Sequence, residues 1–123
     1  MALHGNLDKT YLQMDRDEFE DLKKYADGIG IELFASVFDE ERLRWCEELG
    51  AKRYKIASRT VEDQALCQAI IETGKPVMIS LGMYDWSKGF PFEGDNLIYL
   101  HCVSTYPAML EDVHMPSFGD NGF

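Results

Sequence analysis

The sequence predicts an α/β fold in which parallel strands alternate with helices, and three observations predict it. Short apolar runs that read as strands centre near Phe34, Ile56, Ile79 and Tyr99, about 20 to 23 residues apart. Segments with helical apolar spacing fill the first two intervals, a length that suits one strand and one helix and excludes hairpins. A serine stands at or just after the end of each run, at Ser36, Ser58, Ser80 and Ser104, spaced by 22, 22 and 24 residues, so the units share a register.

The elements follow in chain order. Residues 1–14 read as a leader or irregular segment. Asp15 with Glu18 forms a capping box, after which Phe19, Leu22, Tyr25 and Ala26 recur at helical spacing until Gly28 supplies a left-handed stop. Ile31–Ser36 is short and mostly apolar, as a buried parallel strand reads. Asp39 caps a second helix in which Leu43, Cys46 and Leu49 share a face and Gly50 marks the end. Tyr54–Ala57 is the second strand, and a third helix runs from about Glu62 to Glu72, with Gly74 behind it. Pro76–Ser80 is the third strand, its proline tolerable at the first position. From Leu81 to Asn96 the chain holds Gly82, Trp86, Gly89, Pro91 and Gly94 without a helical stripe, which predicts a loop in place of a helix. Leu97–Cys102 is the fourth strand, and the segment after Ser104 is rich in turn formers.

Composition excludes several classes. The 123 residues are 46% apolar and 28% charged, enough for one core and one domain. With 22 acidic against 12 basic side chains the formal charge is -10, and the cations are scattered, which argues against a nucleic-acid partner or an acidic membrane surface. No apolar run approaches the roughly 20 residues that span a bilayer. The first residues, Met1 to Asn6, lack the features of a secretory signal, so a cytoplasmic location is the expectation. Cys46, Cys67 and Cys102 lack zinc or redox spacing and read as reduced thiols.

The strand ends carry the candidate chemistry. Ligands of parallel α/β folds bind at the carboxyl ends of the strands, where the four serines gather, although serine is also a common cap or turn residue. Lys55 interrupts an apolar strand, and an ammonium there requires an anion. Two readings stand: a structural partner such as Glu32, or a ligand phosphate or carboxylate with Ser58 adding a hydroxyl donor. Arg59 adds to the positive field or is a solvated surface residue. His101 in the fourth strand reads as a core histidine more readily than as a metal ligand. Trp86, Phe90 and Phe92 read either as a lid or as packing in place of the missing helix. Tyr106 before Pro107 stands in an extended turn at the rim, where its hydroxyl could reach a ligand.

These motifs together resemble the sialic acid synthase family, which includes N-acetylneuraminate, legionaminate and pseudaminate synthases. The segments are Phe34–Phe38, Tyr54–Ser58, Thr73–Met83, Leu100–Pro107 and Glu111–Val113, in the family's order and near its spacing over residues 15 to 115. The resemblance implies a (β/α)8 TIM-barrel type of fold. A complete barrel takes roughly 200 to 250 residues, so this chain corresponds to about half, strands three to six. It implies condensation of phosphoenolpyruvate with an N-acetylmannosamine-type sugar to a nine-carbon 2-keto acid. By the same resemblance Lys55, Ser58, Ser80 and Ser36 are substrate-binding, and Ser104 and Tyr106 touch substrate near the reacting carbons. A divalent metal, Mn or Mg, is implied as cofactor, with ligands outside this chain. Many members continue Gly-Glu after Lys-Ile-x-Ser, where this chain has Arg59-Thr60. Open apolar sheet edges predict a homo-oligomer or part of a longer chain. A noncatalytic carbohydrate- or protein-binding remnant of the barrel is the alternative.

Overall fold

The computed structural model describes residues 13–114, so most of the expected leader and the end of the turn-rich tail lie outside the described residues. The chain divides into two compact units, Met1–Leu33 and Phe34–Phe123.

In the first unit, α1 (Arg16–Gly28) starts at the expected capping box: Asp15 Oδ1 accepts the Glu18 N–H at 2.9 Å, and the Glu18 carboxylate accepts the Asp15 N–H at 2.9 Å. Its end corrects the sequence reading. Gly28 is the last helical residue, and the positive φ falls on Gly30, at 78°. The chain leaves through paired bonds from Gly30 N–H to the Asp27 carbonyl and from Ile31 N–H to the Ala26 carbonyl, the Schellman arrangement that needs a left-handed residue two positions later than predicted. Of the expected apolar stripe Ala26 is buried, whereas Leu22 and Tyr25 are exposed.

The second unit is a parallel sheet of β1 (Tyr54–Ile56), β2 (Val77–Ser80) and β3 (Leu97–Leu100), in that order. The expected first strand contributes a single parallel bridge from Ser36 to Lys55, with Lys55 N–H donating to the Ala35 carbonyl. Between Ser36 and β1 lies α2 (Glu40–Glu48), capped by Asp39, and between β1 and β2 lies α3 (Gln64–Ile71), capped by Asp63. Gly50 and Gly74 take the positive φ expected at the helix exits.

Register and burial assign the two faces of the sheet. Tyr54, Ile56, Val77 and Ile79 are fully buried and point toward the helices, with Tyr54 Oη reaching Glu47 of α2. Leu66, Cys67, Ile70 and Ile71 of α3, with Leu43 and Cys46 of α2, complete this core. Burial pushes the Cys67 thiol up to about 11, and its sulfur donates to the Thr60 carbonyl.

The segment from Leu81 to Asn96 has no α-helix, as predicted; one 3-10 turn, Trp86–Lys88, forms within it. It packs on β3. Phe90 stacks on Tyr99 with ring centres 4.7 Å apart, and Tyr99 Oη donates to the Phe92 carbonyl at 2.6 Å while accepting the Phe92 N–H at 3.2 Å. Phe92 is buried and Trp86 lies against His101, so these aromatics act as packing in place of a helix.

Candidate anion site at the strand ends

Alternation along a strand sends Lys55 to the face opposite Tyr54 and Ile56. Register puts Ser36, Lys55, Met78 and Ile98 level with one another on that face, with Ser80 and Leu100 two residues further toward the carboxyl end. Ser36 therefore stands beside Lys55, below the rim where sequence spacing alone had put it. Ser80 is buried and Lys55 half-buried.

Lys55 has no ion pair with any carboxylate among the described residues. Other cations do, among them Arg16 and Lys24 with Glu20, Lys23 with Asp27, Arg42 with Asp39, and Lys75 with Glu47. The half-buried ammonium thus has no carboxylate partner within its own unit among the described residues and stays available to an anion.

At the rim, the Gly82 N–H donates to Ser58 Oγ at 3.1 Å. A hydroxyl holds one proton and two lone pairs, so this bond orients Ser58 while leaving its proton to be donated. The third rim loop comes equally close: a Cβ built on Gly82 would stand 2.5 Å from Ser104 Oγ and 3.1 Å from Cys102 Cβ. Ser58, Gly82 and Ser104 thus meet although they follow three different strands. Sequence reasoning missed Gly82 as a site residue; the available signal was a glycine two positions beyond a strand-end serine, where close backbone approach is most useful.

The remaining candidates separate. Arg59 is exposed, its Cζ 4.4 Å from the centre of the Phe38 ring. Thr60 is buried. Tyr106, in a cis peptide with Pro107, is fully exposed. His101 points to the Trp86 side, and both of its ring nitrogens are buried without a hydrogen-bond partner among the described residues. Among the described residues no three His, Cys, Asp or Glu side chains come together as a metal site. The residues described do not fit a metal centre.

A parallel sheet with helices on one face, and Ser36, Lys55 and Ser80 on the other, defines an α/β domain, a class in which ligands commonly bind at the strand ends. The model of the NeuB family matches residues 8–120, and the chain belongs to that family. It is similar to the N,N'-diacetyllegionaminic acid synthase of Legionella pneumophila, 31% identical over 115 residues that make up 85% of this chain and 32% of that protein. The human N-acetylneuraminate-9-phosphate synthase is 28% identical over 116 residues, 87% of this chain and 32% of the relative. Among solved structures, an N-acetylneuraminic acid (sialic acid) synthetase from Leptospira borgpetersenii serovar Hardjo-bovis, in complex with citrate, superposes with a TM-score of 0.71 at 31% identity, over 81% of this chain and 37% of that one. The chain spans about a third of the length of these curated relatives.

Proposed function

We infer that this chain carries the phosphoenolpyruvate-binding portion of a sialic-acid-type synthase, within a sheet that corresponds to strands three to six of a (β/α)8 barrel. The reaction is condensation of phosphoenolpyruvate with an N-acetylmannosamine-type sugar. The observation that carries this reading is the unpaired, half-buried Lys55 on the helix-free face, level with Ser36 and just below Ser80. An ammonium with hydroxyl donors around it suits a compact oxyanion, each charged hydrogen bond contributing on the order of 1.5–3 kcal/mol. The citrate in the similar synthetase structure is a carboxylate ligand, in keeping with an anion site in this fold.

In this reading Lys55 neutralises the phosphate or carboxylate of phosphoenolpyruvate, Ser36 and Ser80 donate hydrogen bonds from the same face, and Ser58 donates from the rim. Ser104, beside Gly82, stands at the mouth of that face, where the sugar would meet the enol carbon. Tyr106 contributes from the exposed turn beyond it. The described residues bind and orient phosphoenolpyruvate.

Amide shifts in a two-dimensional NMR titration with phosphoenolpyruvate test the placement. The expected result is shifts at Lys55, Ser58, Ser80, Gly82 and Ser104. Shifts confined to α2, α3 and the turn at Trp86–Lys88 would contradict it.

A further inference from the structure

Polarity changes from strand to strand across the helix-free face of the sheet. Ser36, Lys55, Met78 and Ile98 form one level row, and Ser80 and Leu100 belong to the next row toward the carboxyl end. The hydrogen-bonding side chains thus lie on the side of Ser36, β1 and β2, whereas β3 contributes Ile98 and Leu100, and Met78 stands between the two parts. Neighbouring strands are about 4.8 Å apart and residues two apart along a strand about 6–7 Å, so Met78 is a direct neighbour of Lys55, of Ser80 and of Ile98. Met78 and Leu100 are half-buried, and Ile98 is 48% exposed. The other residues of β3, Leu97 and Tyr99, are level with the buried Val77 and Ile79 on the opposite face, so the open surface of Ile98 is no part of the core under the helices.

Such a face sorts the parts of a small acid. Phosphoenolpyruvate carries its carboxylate, its phosphate oxygen and its methylene on one carbon, C2, so turning both oxyanions toward Lys55 and the serines turns the methylene away from them. The surface that lies in that direction is Met78 with Ile98 and Leu100. A hydroxyl pressed against these side chains would lose water without gaining a hydrogen bond, whereas a methylene or methyl loses nothing. β3 also leads to Ser104 at the rim, so a methylene on this side is turned toward the segment to which the sugar is assigned.

We propose that Met78, Ile98 and Leu100 form an apolar floor that takes C3 of phosphoenolpyruvate, so that the site selects 2-phosphorylated three-carbon acids without a polar group on C3 and aims that carbon toward β3. This rests on the assignment of phosphoenolpyruvate to Lys55.

Titration calorimetry with 2-phospholactate and 2-phosphoglycerate of matching configuration tests it, because the two differ by a single hydroxyl on C3. 2-Phospholactate should bind tenfold or more tightly. Met78→Gln should bring the two within about threefold, Ile98→Thr should narrow the gap, and Met78→Leu should keep it. Ile98 is exposed, so Ile98→Thr carries the test even where Met78→Gln fails to fold. Equal affinities in the parent protein, or a preference that survives every folded polar variant, overturns the proposal. Phosphoenolpyruvate titrated into the parent and into Lys55→Ala separates the two claims. Lys55-dependent binding with no preference between the two probes defeats the apolar floor only, whereas absence of phosphoenolpyruvate binding defeats the Lys55 site beneath it.

Discussion

At Gly82 three rim segments meet so closely that a single methyl group has no room, since its carbon would stand 2.5 Å from Ser104 Oγ and 3.2 Å from the Cys102 carbonyl oxygen. The serine hydroxyl can rotate aside, but the Cys102 backbone cannot. Gly82→Ala should therefore destabilise the fold by about 1–3 kcal/mol and displace Ser104, measured as a lower urea midpoint and weaker phosphoenolpyruvate affinity. A variant as stable as the parent would show that the rim is looser than this contact implies. At this scale the sequence was informative where a residue conflicts with its surroundings. Lys55 stood out because a charge in an apolar strand demands an explanation. Arg59 on Phe38 was invisible because the pair is 21 positions apart and nothing local to either residue announces it. The exposure of Tyr106 and the level of Ser36 beside Lys55 likewise depend on backbone register, which spacing does not determine to within two residues.

The elements are joined at the other end of the strands by a polar cluster that the sequence reading did not foresee. Tyr54 at the start of β1 donates to Glu47 Oε1 of α2, and Lys75, two residues before β2, donates to the same oxygen at 2.7 Å. Burial alone would raise the Glu47 carboxyl, but the hydrogen bonds from Lys75 and Tyr54 outweigh it and hold it below its ordinary 4.5. Burial also pushes the Tyr54 hydroxyl well up, so it remains a donor at any working pH. The unfolded chain protonates Glu47 first as pH falls, so the cluster's stabilisation is complete above 4.5 and disappears as pH drops through the lower folded value. The Glu47 side chain is 41% exposed, which limits the effect to about 1 kcal/mol or less. Glu47→Gln should lower stability at pH 7 and flatten its decline between about pH 5 and 3, read from denaturation midpoints across that range. An unchanged acid limb would show that the cluster adds nothing. Helix starts were legible because Asp15, Asp39 and Asp63 cap locally, and the missing helix was legible as a run of turn formers. The end of α1 was misplaced by two residues because either Gly28 or Gly30 could stop a helix, and only the backbone shows which takes the left-handed φ.

Across the whole molecule the charge of -10 is unevenly used. Carboxylates on α1 and α2 meet cations on or near the same helices, while Lys55 and Arg59, at the strand ends, meet none among the described residues. The α/β class and the order of units were legible because period and register repeat. The closure of the sheet is a separate matter: Ser36 makes one bridge, and the far edge of β3 has no neighbouring strand among the described residues, with Ile98 48% exposed. Unpaired apolar edges favour association. Sedimentation velocity of the 123-residue chain should show mass rising with concentration, and a monomer throughout would contradict this. On the proposed function, phosphoenolpyruvate sits on the helix-free face of the sheet and is held there by Lys55. Calorimetric titration of phosphoenolpyruvate into the protein and into Lys55→Ala tests it most directly. At least a tenfold loss of affinity is expected in a variant that remains folded, because a charged hydrogen bond of about 1.5–3 kcal/mol is removed. Equal affinity of the two proteins would contradict it.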